Sequence, residues 1–136
     1  MPRAAPLTLA ALLMILSGGT ALATDLAGSE WRPVRIGALK VSPEADVFVQ
    51  FQGEGQLSGQ GGCNRFFGPW QIDGEAIAIG PLASTRMACP EPQMELEAAL
   101  FGALEAARSY QRERIELTLF DADGKELARF AQTDAD

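Results

Sequence analysis

The only two cysteines of the chain, Cys63 and Cys89, lie in two dense glycine-rich and polar segments, Gly61-Gly62-Cys63-Asn64-Arg65-Phe66-Phe67-Gly68 and Pro81-Leu82-Ala83-Ser84-Thr85-Arg86-Met87-Ala88-Cys89-Pro90. Outside the cytoplasm such thiols pair unless something holds them apart. The two are 26 positions apart and form no Cys-x-x-Cys motif, which favours one structural disulfide over a redox-active pair. On the chain-entropy model, closing a loop of that length contributes roughly 3 to 4 kcal/mol, a large share of a small domain's stability.

The oxidising destination is read from the first residues. Arg3 gives a short positive region, residues 7–16 are apolar and uncharged, and Ala21-Leu22-Ala23 supplies the small-residue pattern of a secretory signal. Cleavage is expected after Ala23, so that the mature chain begins Thr24-Asp25. The apolar run is shorter than the roughly 20 residues of a spanning helix. With no cysteine beside the cleavage site to carry a lipid, the expected product is a soluble periplasmic or secreted protein.

Removing residues 1–23 leaves 113 of the 136 residues, enough for one domain spanning 24–136 with its core at about 30–131. The net charge of -7 argues against a surface that follows nucleic-acid phosphates. Arg108, Arg112 and Arg114 cluster, but Glu105, Glu113 and Glu116 are interleaved with them, and the pattern reads as a solvated mixed-charge strand face.

Along the chain, Glu30-Trp31-Arg32-Pro33-Val34-Arg35-Ile36 reads as an edge strand, with Trp31 as core anchor and Pro33 removing one ladder donor. Val47, Val49 and Phe51 alternate on one face before the turn Gly53-Glu54-Gly55, and residues 56–60 return as a partner strand. Residues 66–71 and 76–79 form a hairpin around Asp73-Gly74, with a further strand at 82–87. Cys89-Pro90-Glu91-Pro92 ends sheet pairing and opens the one convincing helix. There Met94, Ala98, Phe101 and Leu104 recur at helical spacing, Leu96 and Leu100 widen the stripe, and Glu95 and Glu97 suit the positive end of the dipole. Ile115, Leu117 and Leu119 restore a period of two, Asp121-Ala122-Asp123-Gly124-Lys125 turns, and residues 126–130 close the domain. These elements amount to an α+β domain, a small partly open antiparallel β-barrel with one packed α-helix.

Catalytic patterns are weak. The chain has no histidine. Ser58-Gly59-Gln60-Gly61-Gly62 lacks the Gly-Lys-Ser/Thr ending of a phosphate loop, and its glycines fit a tight bend or bulge beside the disulfide. Asp121 and Asp123 have the spacing that opens a calcium loop without the later bidentate glutamate. Glu95 and Glu97 lie two apart and face different sides of a helix, while Ser84 and Thr85 have no activating base near them in sequence. No catalytic residue, metal site or cofactor is assigned, and a non-enzyme is expected.

The candidate recognition patch is Asn64, Arg65, Ser84, Thr85 and Arg86, because a Cys63 to Cys89 bond brings their segments together. A structural role competes with it, in which Asn64 caps a turn and Arg86 pairs with a buried carboxylate or backbone carbonyls.

The segments 62–68 and 80–90, followed by a helix and the ending Leu117-Thr118-Leu119-Phe120-Asp121-Ala122-Asp123-Gly124-Lys125-Glu126-Leu127-Ala128-Arg129-Phe130, closely resemble the META domain, and within it the bacterial heat-shock HslJ group. The resemblance runs from about Trp31 to Phe130. It implies a Cys63 to Cys89 disulfide and a cracked antiparallel barrel with a helix inside or against it, similar to secretion-pilot lipoproteins. It also implies an envelope or secreted protein linked to heat response, antibiotic tolerance, motility or virulence, and it carries over no catalytic residue. Members of the HslJ group are often lipid-anchored, and this chain lacks the acylated cysteine.

Two functions follow as expectations. One is a non-enzymatic stress-tolerance protein that binds another envelope protein or lipoprotein. The other is a carrier holding an apolar small molecule in the barrel mouth, with Phe48, Phe66, Phe67 and Trp70 as candidate lining residues, against the simpler account that these aromatics fill the core.

Overall fold

The computed structural model describes residues 26–134. The signal segment expected at residues 1–23 lies outside them. Ten strands and one helix follow in order: β1 (Ser29–Ile36), β2 (Leu39–Lys40), β3 (Val47–Gln52), β4 (Gln56–Gly61), β5 (Arg65–Asp73), β6 (Ala76–Ile79), β7 (Ala83–Ser84), α1 (Gln93–Ala106), β8 (Ser109–Glu113), β9 (Glu116–Phe120) and β10 (Glu126–Gln132). All strand pairings are antiparallel, and the order β10-β9-β8-β6-β5-β4-β3-β1 closes on itself through a β1 to β10 ladder. The eight-stranded ring has one thin seam. At β6 and β8 only Ala76 and Ser109 are in register, flanked by the bonds Ile77 N to Arg108 O and Tyr110 N to Glu75 O.

Alternation places the core. Trp31, Val47, Val49, Phe51, Leu57, Phe66, Trp70, Ile77, Ile79, Leu117, Leu119 and Phe130 all point inward and are buried. The first strand departs from its expected edge position, since β1 is laddered to β3 and then β2 along one side and to β10 along the other. Pro33, which has no N–H, is accommodated where the β1 to β10 register shifts between Pro33 and Arg35, leaving Val34 exposed.

Helix α1 contacts β1, β4, β6, β9 and β10, strands from around the whole ring, so it lies across the barrel's mouth and not against its outer wall. Its buried residues are Leu96, Glu97, Leu100, Ala103 and Leu104. The inward face is therefore turned relative to the sequence expectation: Ala98 faces solvent, while Met94 and Phe101 are only half-buried. Glu91 takes over the missing cap by accepting Glu95 N at 3.0 Å, and Arg108 closes the other end by donating to the carbonyls of Glu105 and Ala107.

The arginine cluster is likewise not a uniform strand face. Arg108 caps the helix and Arg114 occupies a left-handed turn position at φ 57°. Arg112 lies opposite Leu117, on the inward face, stacks over the Trp31 ring at 5.1 Å and donates to Gln132 Oε1 at 2.8 Å. Ile115, expected inside, lies in the β8 to β9 turn and is exposed.

A candidate functional site beside the disulfide

The Cys63 to Cys89 bond is formed, with the Cα atoms 5.9 Å apart. Beside it the two segments are joined a second time, through Asn64. This side chain is buried, and each of its polar atoms is engaged. Its Oδ1 accepts from Met87 N at 2.7 Å and from Thr85 Oγ1 at 2.9 Å. Its Nδ2 donates to Met87 O at 3.1 Å and to Glu97 Oε2 at 2.8 Å. Donors on one side and acceptors on the other fix the amide orientation.

Glu97 is the member of this site that periodicity did not reveal. Glu95 alone stands in the helix's first turn, while Glu97 points inward, where Oε1 accepts the backbone N–H groups of Cys63 at 3.3 Å and Asn64 at 2.5 Å. A carboxylate placed among glycine-loop N–H groups is a charge-assisted acceptor for donors that would otherwise be buried without partners. The signal that marked it was its acidic character at a position, one residue after Leu96 and three before Leu100, that falls inside the apolar stripe.

The glycines have two separate jobs. Gly62, at φ 109°, makes the turn into Cys63. Gly59 and Gly61 lie in regular strand β4, where side chains stand directly on the backbone. A Cβ on Gly59 would come within 2.6 Å of Phe66 Cζ, and one on Gly61 within 2.8 Å of Glu97 Oε1. Phe66, so seated, meets Phe101 edge-on at 5.0 Å.

The expected patch residues thus divide. Asn64 faces inward, and Thr85 spends its hydroxyl on it, so both serve the scaffold. Ser84 is half-buried opposite Phe66 in the β5 to β7 pair. Arg65 and Arg86 are exposed, and neither guanidinium has a hydrogen bond or ion pair among the described residues. Two exposed apolar side chains stand with them, Phe67 at 56% and Met87 at 59%. The four aromatics expected to line a ligand cavity also divide: Phe66 and Trp70 are core, Trp70 donating to the carbonyls of Gln52 and Gln56, whereas Phe48 is half-buried and Phe67 lies outside.

What results is a small disulfide-stapled barrel with a helix across its mouth and a mixed cationic and apolar surface over the staple. The chain belongs to the META domain family, whose model matches residues 24–134. No curated protein matches it. Its fold is similar to that of a protein from Burkholderia xenovorans solved by NMR, at 23% identity and a TM-score of 0.66, covering 85% of this chain and 88% of that one. A second NMR structure is similar at 24% identity and a TM-score of 0.62, covering 76% and 88%. A DUF4847 family protein from Bacteroides vulgatus is similar at 19% identity and a TM-score of 0.59, covering 82% and 97%. No helix among the described residues is long and apolar enough to cross a membrane.

Proposed function

We propose that this META-domain protein acts outside the cytoplasm as a non-catalytic binding protein, supporting envelope stress tolerance by docking another envelope protein or lipoprotein over the disulfide. The observation that carries the reading is the exposure of Phe67 and Met87 beside two arginines that have no partner among the described residues. Solvent-facing Phe and Met are the residue types enriched at protein interfaces, and Arg is the cation enriched with them. A partner segment with carboxylates flanking an apolar side chain complements this surface.

Binding is preferred to catalysis because the buried carboxylate of the site already accepts three donors and has no proton-transfer role open to it. Export is supported by the signal-like first residues and by a disulfide that persists in oxidising compartments.

The test is site-specific photocrosslinking in stressed cells, with the probe at position 67 or 87 and, as control, at the distant exposed position 111. Recovery of one envelope protein from positions 67 and 87, lost when Arg65 and Arg86 are both alanine, supports the proposal. Recovery of the same abundant proteins from all three positions refutes it.

A further inference from the structure

Four large apolar side chains stand exposed among the described residues, and the two that do not border the disulfide, Val34 and Ile115, are neighbours. Val34 sits at the bulge of β1, and Ile115 in the β8 to β9 turn offers its carbonyl to Gln132 N at 2.8 Å. Both line a shallow hollow of about 270 Å³ on the outside of the barrel, together with Phe130, Ala131, Glu116 and Arg129.

The charges around this hollow are sorted by sign. Arg35 of β1 stands directly opposite Arg129 of β10, with Lys40 of β2 beyond it, and all three are exposed. Across β10, Glu116 of β9 stands opposite Ala131, with Glu113 of β8 beyond it, and both carboxylates are exposed. Arg129, between the two groups, is held by Glu126 at 2.9 Å and by Glu116 at 3.8 Å. Arg35 and Lys40 have no hydrogen bond or ion pair among the described residues, and like charges in direct register repel. On the acidic side a second hollow, of about 320 Å³, is lined by Glu113, Glu116 and Glu126 with Gln111, Thr118, Phe120 and Arg129.

An occupant of this face must bring carboxylates to β1 and β2, cations to β8 and β9, and an apolar centre between them. The face is itself such a surface. Arg35 and Glu116 flank β10 about equally far from a point between Arg129 and Ala131. A two-fold axis through that point, lying in the face, sets Glu116 of each copy against Arg35 of the other and turns Val34 of each towards Ile115 of the other. The net charge of -7 makes two copies repel at long range, but physiological salt screens that beyond about 8 Å, so the contact pairs decide.

We infer that this face binds a second copy of the chain in a two-fold dimer, held by paired Arg35 and Glu116 around an apolar centre of Val34 and Ile115. Contact on one side of a small convex barrel stays below the roughly 1,200 Å² of stable complexes, so the dimer is weak and reversible. It shares no residue with the surface over the disulfide and leaves that surface open.

Sedimentation velocity of the purified protein, in a concentration series reaching the millimolar, tests it. The parent is expected to dimerise reversibly, and Arg35→Glu and Glu116→Arg each to raise the dimer Kd about tenfold, since each reverses both symmetry-related pairs. Mixing these two variants in equal amounts should restore dimerisation, because every contact pair is again of opposite sign. Ile115→Ser should weaken the parent dimer, and Met87→Ser should leave it unchanged. A thermal melt of each variant, matching the parent, shows that the fold is kept. The inference is overturned if the parent stays monomeric throughout the series, if either charge reversal dimerises as the parent does, or if the mixed variants stay monomeric. A dimer lost with Met87→Ser would place the contact over the disulfide and overturn it equally.

Discussion

Glu97 and Asn64 hold each other twice, with the carboxylate taking the side-chain amide of Asn64 on Oε2 at 2.8 Å and its backbone N–H on Oε1 at 2.5 Å. Because Asn64 also grips Met87 and Thr85, this pair links the helix, the cysteine turn and the second cysteine segment in one buried network. Replacing Glu97 with Ala strands three donors away from water and is expected to cost about 3 kcal/mol. Glu97→Gln keeps one acceptor oxygen but sets an amide NH2 against that of Asn64, and should cost less. Urea unfolding of both variants checks the order, and a Glu97→Ala midpoint within error of the parent would remove Glu97 from the account of stability.

The disulfide and Asn64 tie the same two segments, so their contributions should not be independent. Cys63→Ser alone is expected to lower stability by roughly 3 kcal/mol, and Asn64→Ala in the oxidised protein by about 2 kcal/mol. In a double-mutant cycle the coupling should exceed about 0.5 kcal/mol, since each tether reduces the freedom the other must restrain. Strict additivity would mean that the two act on separate parts of the fold.

Glycine substitutions separate packing from backbone freedom. A Cβ at Gly59 would sit 2.2 Å from Phe48 O, a backbone atom that cannot step aside. Gly59→Ala is therefore expected to destabilise by about 2 kcal/mol or more. Gly102 is exposed in α1 with nothing within 4 Å of its Cβ position, and Gly102→Ala should stabilise by about 0.5 to 1 kcal/mol. Thermal melts reporting both substitutions with the same sign would contradict this placement of β4.

How much of this was legible from the residues depends on the range of the interaction. Hairpins were readable because turn chemistry at Gly53-Glu54-Gly55 and Asp73-Gly74 fixes neighbouring strands, and because Val47, Val49 and Phe51 show a period of two. Closure was not. Nothing local to Trp31 or Pro33 says that β1 will be paired with residues 128–132, and a proline normally points to an edge. The helix was readable as a helix but not in its rotation. A mouth-spanning helix meets strands on several sides, so its burial follows the barrel's shape more than a clean stripe. Asn64 was visible as part of a polar set, yet its burial and its bond to Glu97 link positions 33 apart, a distance at which sequence spacing carries no geometric information.

Asp134 offers a pH-dependent test at the end of the chain. Partial desolvation raises its carboxyl pKa, but hydrogen bonds from Glu30 N and the Gln132 amide, with the charge of Arg112, outweigh it and hold the group below its ordinary 3.8. A depressed folded-state pKa contributes stability above the unfolded value that is lost as pH falls through the folded value. Asp134→Ala should therefore lower Tm slightly at neutral pH and make no difference well below pH 3.8. An equal loss at both pH values would point to packing and not to charge.

The surface over the disulfide makes the sharpest separation of structure from function. Arg65 and Arg86 are exposed and have no partner among the described residues, so changing both to Ala should move stability by less than about 0.5 kcal/mol. The same holds for Met87→Ser, whose side chain is mostly in solvent while its backbone keeps the bonds to Asn64. Asn64→Ala, in contrast, should disturb the surface only by loosening the backbone beneath it. If the surface docks a partner, Arg65→Ala/Arg86→Ala and Met87→Ser abolish position-specific crosslinking in a protein that melts as the parent does. If the surface is inert, crosslinking tracks only the destabilised Asn64→Ala variant. A stable double-arginine variant that still crosslinks as the parent does would remove these arginines from recognition and leave the polar set with its structural role alone.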